Sequence, residues 1–253
     1  MVHLDRHGAV AELRLDNQAK MNCLTVAMLD QLDRHLGTLD RDPAIRCVLL
    51  TATGTRAFCT GADITAWGGL SPAEFARAWV RDGHRLFDRL ARLSKPTIAV
   101  LTGPAFGGGL ELAAACDIRV MVPEATLALP EAGVGIVPGW SGTQRLGRLL
   151  PEPVLKEMAL FGRRIGADRA LALGFVAEVA KDALGAAMAI AQHLTTLSPR
   201  AVEVAKAMIH AGAGEDSAAM IEMLGSGMIA ATADKAEGVA AFRAKRNPEF
   251  PGR

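Results

Sequence analysis

The segment that most constrains this chain is TIAVLTGPAFGGGLELAAACDIRV, residues 97–120. A buried-strand run, Thr97 to Leu101, leads into three consecutive glycines, Gly107 to Gly109, and then into an apolar helical stretch, Leu112 to Cys116. A further strand run, Ile118 to Val122, follows at once. Strand, crossover helix and strand in sequence imply a parallel sheet with a covered face. One charge, Glu111, enters that apolar helix just after the glycines. Such a carboxylate is costly unless something stabilises it.

The same alternation runs through the first two-thirds of the chain. Val10 to Leu15 reads as a strand, and Met28, Leu29, Leu32, Leu36 and Leu39 give residues 25–39 a helix face. Cys47 to Thr51 reads as a buried strand. Ser71-Pro72-Ala73-Glu74 is a helix start, with a Ser cap, Pro at the first helical position and Glu at the third. The stripe Phe75, Trp79, Leu86, Leu90 and Leu93 carries that helix to Lys95-Pro96. From about residue 182 the pattern turns wholly helical, with Ser198-Pro199 starting one helix and Asp234 with Glu237 capping another. These signals predict an α/β fold with an all-helical tail suited to packing on a neighbouring subunit.

Composition narrows the function. The 28 basic and 27 acidic residues nearly cancel, which argues against a non-specific nucleic-acid binder and leaves only Arg243 to Arg246 as a basic patch. No apolar run approaches the length of a membrane span, and MVHLDRHGAVAELRL has neither a signal-peptide nor a transit-peptide pattern. Cys23, Cys47, Cys59 and Cys116 are scattered, as buried reduced thiols would be, so the expectation is a cytoplasmic protein. The six histidines have no metal-ligand spacing, and no metal is expected. Ser141 lies outside any GxSxG and reads as the cap of the SGTQRL helix, and Asp117 reads as a turn contact.

The glycines are not a phosphate cradle. Gly103 to Gly108 has Walker spacing, but Gly109 stands where Lys belongs, and GxxxGGG is not the GxGxxG of a dinucleotide site. They suit another use. A glycine loop lets backbone approach a ligand, and a helix N-terminus offers unpaired N–H groups that can hold a developing oxyanion. Glu111 alone is either a solvent-facing helix-start charge or part of such a site. Twenty residues on, Glu131 follows the apolar Leu127, Ala128 and Leu129. Two carboxylates can share one water as base and acid.

Four segments together resemble the crotonase, or enoyl-CoA hydratase/isomerase, superfamily: AFCTGADI (57–64), GPAFGGGLELAAACDIRV (103–120), LPEAGVGIVPGWSGTQRL (129–146) and AFRAKRNPEF (241–250). The resemblance covers nearly the whole chain. It implies a crotonase-like ββα spiral core over 1–190, which binds CoA and carries the chemistry, and a C-terminal helical trimerisation region over 191–253. It also implies an acyl-CoA thioester as substrate, no separate cofactor, and a homotrimer or dimer of trimers. By motif position the thioester oxygen is held by the backbone N–H groups of Ala62 and Gly108, with Gly107 beside them. Glu111 then activates water for attack on the β carbon, and Glu131 delivers a proton to the α carbon.

Softer assignments follow from the same resemblance. Lys20 and Met21 match a segment that contacts CoA phosphate and pantetheine, although Gln18 stands where the family often has Pro. Thr60, Asp63 and Ile64 belong to a loop approaching adenine and pantetheine. Phe242 and Lys245 match a pair offered to CoA, or else are helix packing and a solvated charge. Residues 65–72 match the loop over the acyl chain, with Trp67 able to line it. Trp140 stands where many members have a small residue, and it either shortens the acyl pocket or fills a core gap. Retention of both glutamates favours a hydratase. The alternatives are isomerisation, dehydration of a specialised 3-hydroxyacyl-CoA, or a non-catalytic acyl-CoA- or RNA-binding homologue.

Overall fold

In the computed structural model, which describes residues 1–253, two sheets carry the first part of the chain. β1 (Val2–His7) and β2 (Val10–Leu15) pair antiparallel, and β3 (Cys47–Ala52) and β4 (Thr97–Leu101) add in parallel. β5 (Ala105–Phe106) opens a second sheet, and β6 (Ile118–Met121) returns to the first beside β4. β7 (Thr126–Ala128) and β8 (Ile165–Gly166) complete the second sheet, and β9 (Glu178–Val179) closes the first. The orders are β1-β2-β3-β4-β6-β9 and β5-β7-β8. The short strands β5, β7, β8 and β9 escape a reading by apolar runs because two or three residues show no period.

Both faces of the larger sheet are covered, which is why every residue of β3 and β4 is buried. Cys47 and Leu49 join Ile98, Val100 and Val120 against Ala183, Ala187 and Ala191 of α9 (Ala183–Leu194). Val48 and Leu50 face the other way, into the main core with Leu32 and Leu36 of α1 (Val26–Arg41). Thr25 caps α1 by accepting a hydrogen bond from Met28 N at 3.3 Å. All four cysteines are buried as thiols, and Asp117 Oδ2 accepts from Thr97 N at 2.7 Å in the turn before β6.

Residues 64–91 hold the first departure from the sequence reading. α2 (Ile64–Trp67) occupies the start of the expected 65–72 loop. Ser71 then forms a full capping box with Glu74 at the head of α3 (Pro72–Glu74). The helix does not continue as a plain α-helix. Phe75–Val80 is a π turn, and only at α4 (Arg81–Ala91) does ordinary α geometry resume. Propensity and apolar spacing do not distinguish the two; packing against the site decides it.

Beyond the glycines come α5 (Gly108–Ala114), α6 (Gly142–Leu149), α7 (Glu152–Phe161) and α8 (Ala167–Ala172). The chain divides into two compact units, Met1–Glu203 and Val204–Arg253. α10 (Pro199–Gly212) runs across the boundary, with Ser198 Oγ accepting from Ala201 N at 3.4 Å. The second unit holds α11 (Ser217–Ala230) and α12 (Ala233–Ala244). The cap of α12 is Thr232, whose hydroxyl accepts from Lys235 N, rather than Asp234 with Glu237. Those two carboxylates instead hold the C-terminal segment. Asp234 accepts from Gly252 N at 2.7 Å, and Glu237 accepts from Glu249 N at 2.8 Å and pairs with Arg246. α11 buries only Met220 and leaves Ile221 (72 % exposed) and Met228 in solvent.

Candidate active site

Gly107 ends β5's loop in a positive-φ conformation (φ 51°), and α5 begins at Gly108. Glu111 falls in that helix's first turn and is 3 % exposed. Its Oε1 accepts two backbone hydrogen bonds, from Trp140 N at 2.8 Å and Gly142 N at 2.7 Å. Gly142 is required here: a Cβ on it would lie 2.6 Å from that same oxygen. Burial pushes the Glu111 carboxyl up to about 7, the two amides opposing the rise and Glu131 adding to it.

Glu131 opens a 3-10 turn, Glu131–Val134, directly after β7 and Pro130. It is 8 % exposed, and burial raises its carboxyl above the usual range. Its Oε2 is buried with no hydrogen-bond partner in the protein. A buried polar atom left this way is expensive in a folded chain unless a ligand or water meets it. Glu111 and Glu131 line one cavity of about 160 Å³.

The same cavity is lined by Gly61, Ala62, Gly107 and Gly108. Leu24 N donates to Gly61 O and Asp63 N donates to Leu24 O, so the parallel bridge straddles Ala62 and turns its own N–H away from Leu24. Gly108 N–H is the first of α5 and has no helical acceptor behind it. The two loops touch: a Cβ on Gly61 would stand 3.2 Å from Gly108 N. Two backbone donors without a backbone acceptor therefore belong to residues lining one cavity, and that of Gly108 stands at the head of a helix, where the dipole favours negative charge.

The remaining wall is apolar. In a π turn residues four and five apart return to one face, so Phe75, Trp79 and Val80 all line the cavity with Trp67 and Ile64. Trp140 is both wall and core. It packs on Trp79 and Phe87 at ring-centroid distances of 5.1 and 5.2 Å and donates from Nε1 to Trp79 O. The alternatives left open by the sequence are thus not exclusive. The helical stripe of the sequence reading already joined Phe75 and Trp79, as core rather than site, but left out Val80, which an α-helical period does not group with them.

Of the expected CoA contacts, Lys20, Met21, Thr60 and Asp63 come together. Lys20 Nζ lies 2.8 Å from Asp63 Oδ2, and Thr60 donates from N and Oγ to Met21 O. The Lys20 ammonium and the Thr65 hydroxyl hold the Asp63 carboxyl below its usual range. Phe242 and Lys245 belong to the second unit; Phe242 is 85 % exposed, and Lys245 is the left-handed C-cap of α12. Ser141 is not a side-chain cap for α6. It occupies the N-cap position, but its Oγ bonds to His84 Nδ1 at 2.7 Å. No group of side chains has metal-ligand character.

Backbone donors without a backbone acceptor and two buried carboxyls around one apolar cavity are what an acid–base enzyme offers a substrate that gains charge on an oxygen. The comparisons give that class a family. The family model described as enoyl-CoA hydratase/isomerase matches residues 5–253. The short-chain-enoyl-CoA hydratase of Clostridium acetobutylicum is 34 % identical over 252 residues, covering 98 % of this chain and 96 % of that one. The carnitinyl-CoA dehydratase of Proteus mirabilis is also 34 % identical, over 262 residues, covering 100 % and 98 %. The crystal structure of an enoyl-CoA hydratase from Bacillus anthracis superposes with a TM-score of 0.82 at 33 % identity, covering 100 % of this chain and 99 % of that one. The chain belongs to the enoyl-CoA hydratase/isomerase family of enzymes and has the crotonase fold.

Proposed function

We propose that this enzyme adds water across the 2,3 double bond of a trans-2-enoyl-CoA. The observation that carries the reading is the pair of buried glutamates on one cavity beside two unspent backbone donors. Glu111, its Oε1 tied to two amides, takes a proton from water at Oε2 while the hydroxyl oxygen bonds to the β carbon. The electron pair of the double bond moves onto the thioester oxygen, which Ala62 N–H and Gly108 N–H stabilise as an enolate. Glu131, whose protonated form burial favours, delivers a proton to the α carbon, and the enolate collapses to the 3-hydroxyacyl-CoA. Losing one such donor costs acyl-transfer enzymes about 2.7–4 kcal/mol.

In this reading Lys20, Met21, Thr60, Asp63 and Ile64 meet the CoA portion, with Trp67 and Trp140 along the acyl group. Phe242 and Lys245 stay proposed CoA contacts. The apolar surface of α11 supports assembly into a trimer or a dimer of trimers. No helix is long and apolar enough to cross a membrane.

The test is loss of the conjugated-thioester absorbance when purified enzyme meets crotonyl-CoA, repeated with Glu111→Gln and Glu131→Gln. No loss with any 2-enoyl-CoA overturns the reading. The similarity to a carnitinyl-CoA dehydratase favours a second reading, elimination of water from a substituted 3-hydroxyacyl-CoA by the same residues in reverse. Running the assay from the hydroxyacyl side with substituted substrates separates the two.

A further inference from the structure

Residue 141 sits between the two amides that hold Glu111, since Trp140 N and Gly142 N both donate to Glu111 Oε1. To present both, the backbone turns through a left-handed conformation at Ser141 (φ 77°, ψ 12°). That region favours glycine, and serine holds it only when its surroundings do. Ser141 is 5 % exposed, and the partner of its hydroxyl is His84 Nδ1, on an exposed residue of α4. One helical turn further along both segments, Arg145 pairs with Asp88 at 3.3 Å. His84 with Asp88, and Ser141 with Arg145, are each four apart, so α4 grips the head of α6 by two parallel rungs. Neither His84 nor Ser141 lines the cavity.

We propose that His84 and Ser141 are positioning residues: their hydrogen bond holds residue 141 left-handed and so keeps two amides on the carboxylate of Glu111. This rests on the reading of Glu111 as the base. Glu111 is faced by Glu131 from the turn after β7, by Arg145 from α6 and, through Ser141 and Arg145, by His84 and Asp88 from α4. The two amides favour its ionised form, so releasing them raises its pKa. The base then works only at higher pH.

The test is the pH dependence of kcat/KM for crotonyl-CoA together with titration of Glu111 by carboxyl-carbon NMR in the substrate-free enzyme. Ser141→Ala and His84→Ala are expected to move both the acid limb and the Glu111 titration up by about one pH unit. On that limb kcat/KM falls about tenfold, with little change on the plateau. Ser141→Gly, which adopts the left-handed turn unaided, is expected to keep the wild-type profile, as is His84→Asn, which restores a polar atom near Nδ1. Wild-type titrations in Ser141→Ala and His84→Ala overturn the proposal. So does a Ser141→Gly shift equal to that of Ser141→Ala. His84 is exposed, so its variants keep the test open if Ser141→Ala does not fold. A shifted NMR titration without hydration of any enoyl-CoA would instead sink the hydratase reading and leave the positioning role standing.

Discussion

Glu111 holds two properties that pull in opposite directions. Burial drives its carboxyl toward neutrality, while Trp140 N and Gly142 N favour the ionised form, and the balance falls at about 7. A base must be ionised, so kcat/KM for hydration is expected to rise with pH through about 7. Glu131 must be protonated to act as the acid, and burial favours its protonated form, so ionising it at alkaline pH is expected to lower activity. Glu111→Gln and Glu131→Gln are each expected to lower kcat by about 10²–10⁴-fold while CoA-ester binding persists. Turnover at the wild-type rate in either variant would remove that residue from the mechanism. Stability carries the same signature. A carboxyl whose pKa is raised on folding binds its proton more tightly in the folded state. Stability therefore declines as pH rises from the unfolded value of 4.5 toward 7 and is level above. Glu111→Gln removes that loss, on the order of 3 kcal/mol, and should melt several degrees above wild type at pH 8.

At the scale of elements, the site is made where irregular backbone meets regular helices. α5 supplies Gly108 N–H and Glu111 from one turn, and the π turn at Phe75–Val80 sets three apolar side chains on one wall. Trp140, packed on Trp79 and Phe87, links that wall to the loop whose amides hold Glu111. Trp140→Ala should therefore act twice. It should cost about 3–5 kcal/mol in chemical denaturation, as large-to-small core changes do. It should also shift the preference toward longer acyl chains, read as the ratio of kcat/KM across a series of 2-enoyl-CoA lengths. A destabilised enzyme with an unchanged chain-length ratio would make Trp140 core filling alone.

For the whole molecule, the C-terminal unit leaves Ile221, Met228 and Phe242 in water, more apolar surface than an isolated helical unit of this size has reason to expose. Sedimentation equilibrium is expected to give a trimer or hexamer, and Ile221→Glu with Met228→Glu to reduce it to smaller species. A wild-type monomer would overturn the assembly. The near-cancellation of 28 basic and 27 acidic residues fits a surface that associates rather than one that repels itself.

The sequence by itself determined β2, β3, β4 and β6, the helical tail, the capping box at Ser71, and the candidacy of Glu111, Glu131, Ala62 and Gly108, but not β1. Each of these depends on local chemistry: burial runs, capping residues, glycines where backbone must come close, and motif order. Only the tertiary structure decided that Val80 joins Phe75 and Trp79 on one wall, that Trp140 is wall and core together, and that Ser141 turns its hydroxyl to His84. The last two facts depend on residues more than fifty positions apart in sequence meeting in space, as Trp140 and Phe87 do, and Ser141 and His84. No local period records which distant side chain will complete a hydrogen bond. The free energy of that contact exists only once both helices are packed, and so does the geometry that sets the Glu111 carboxylate.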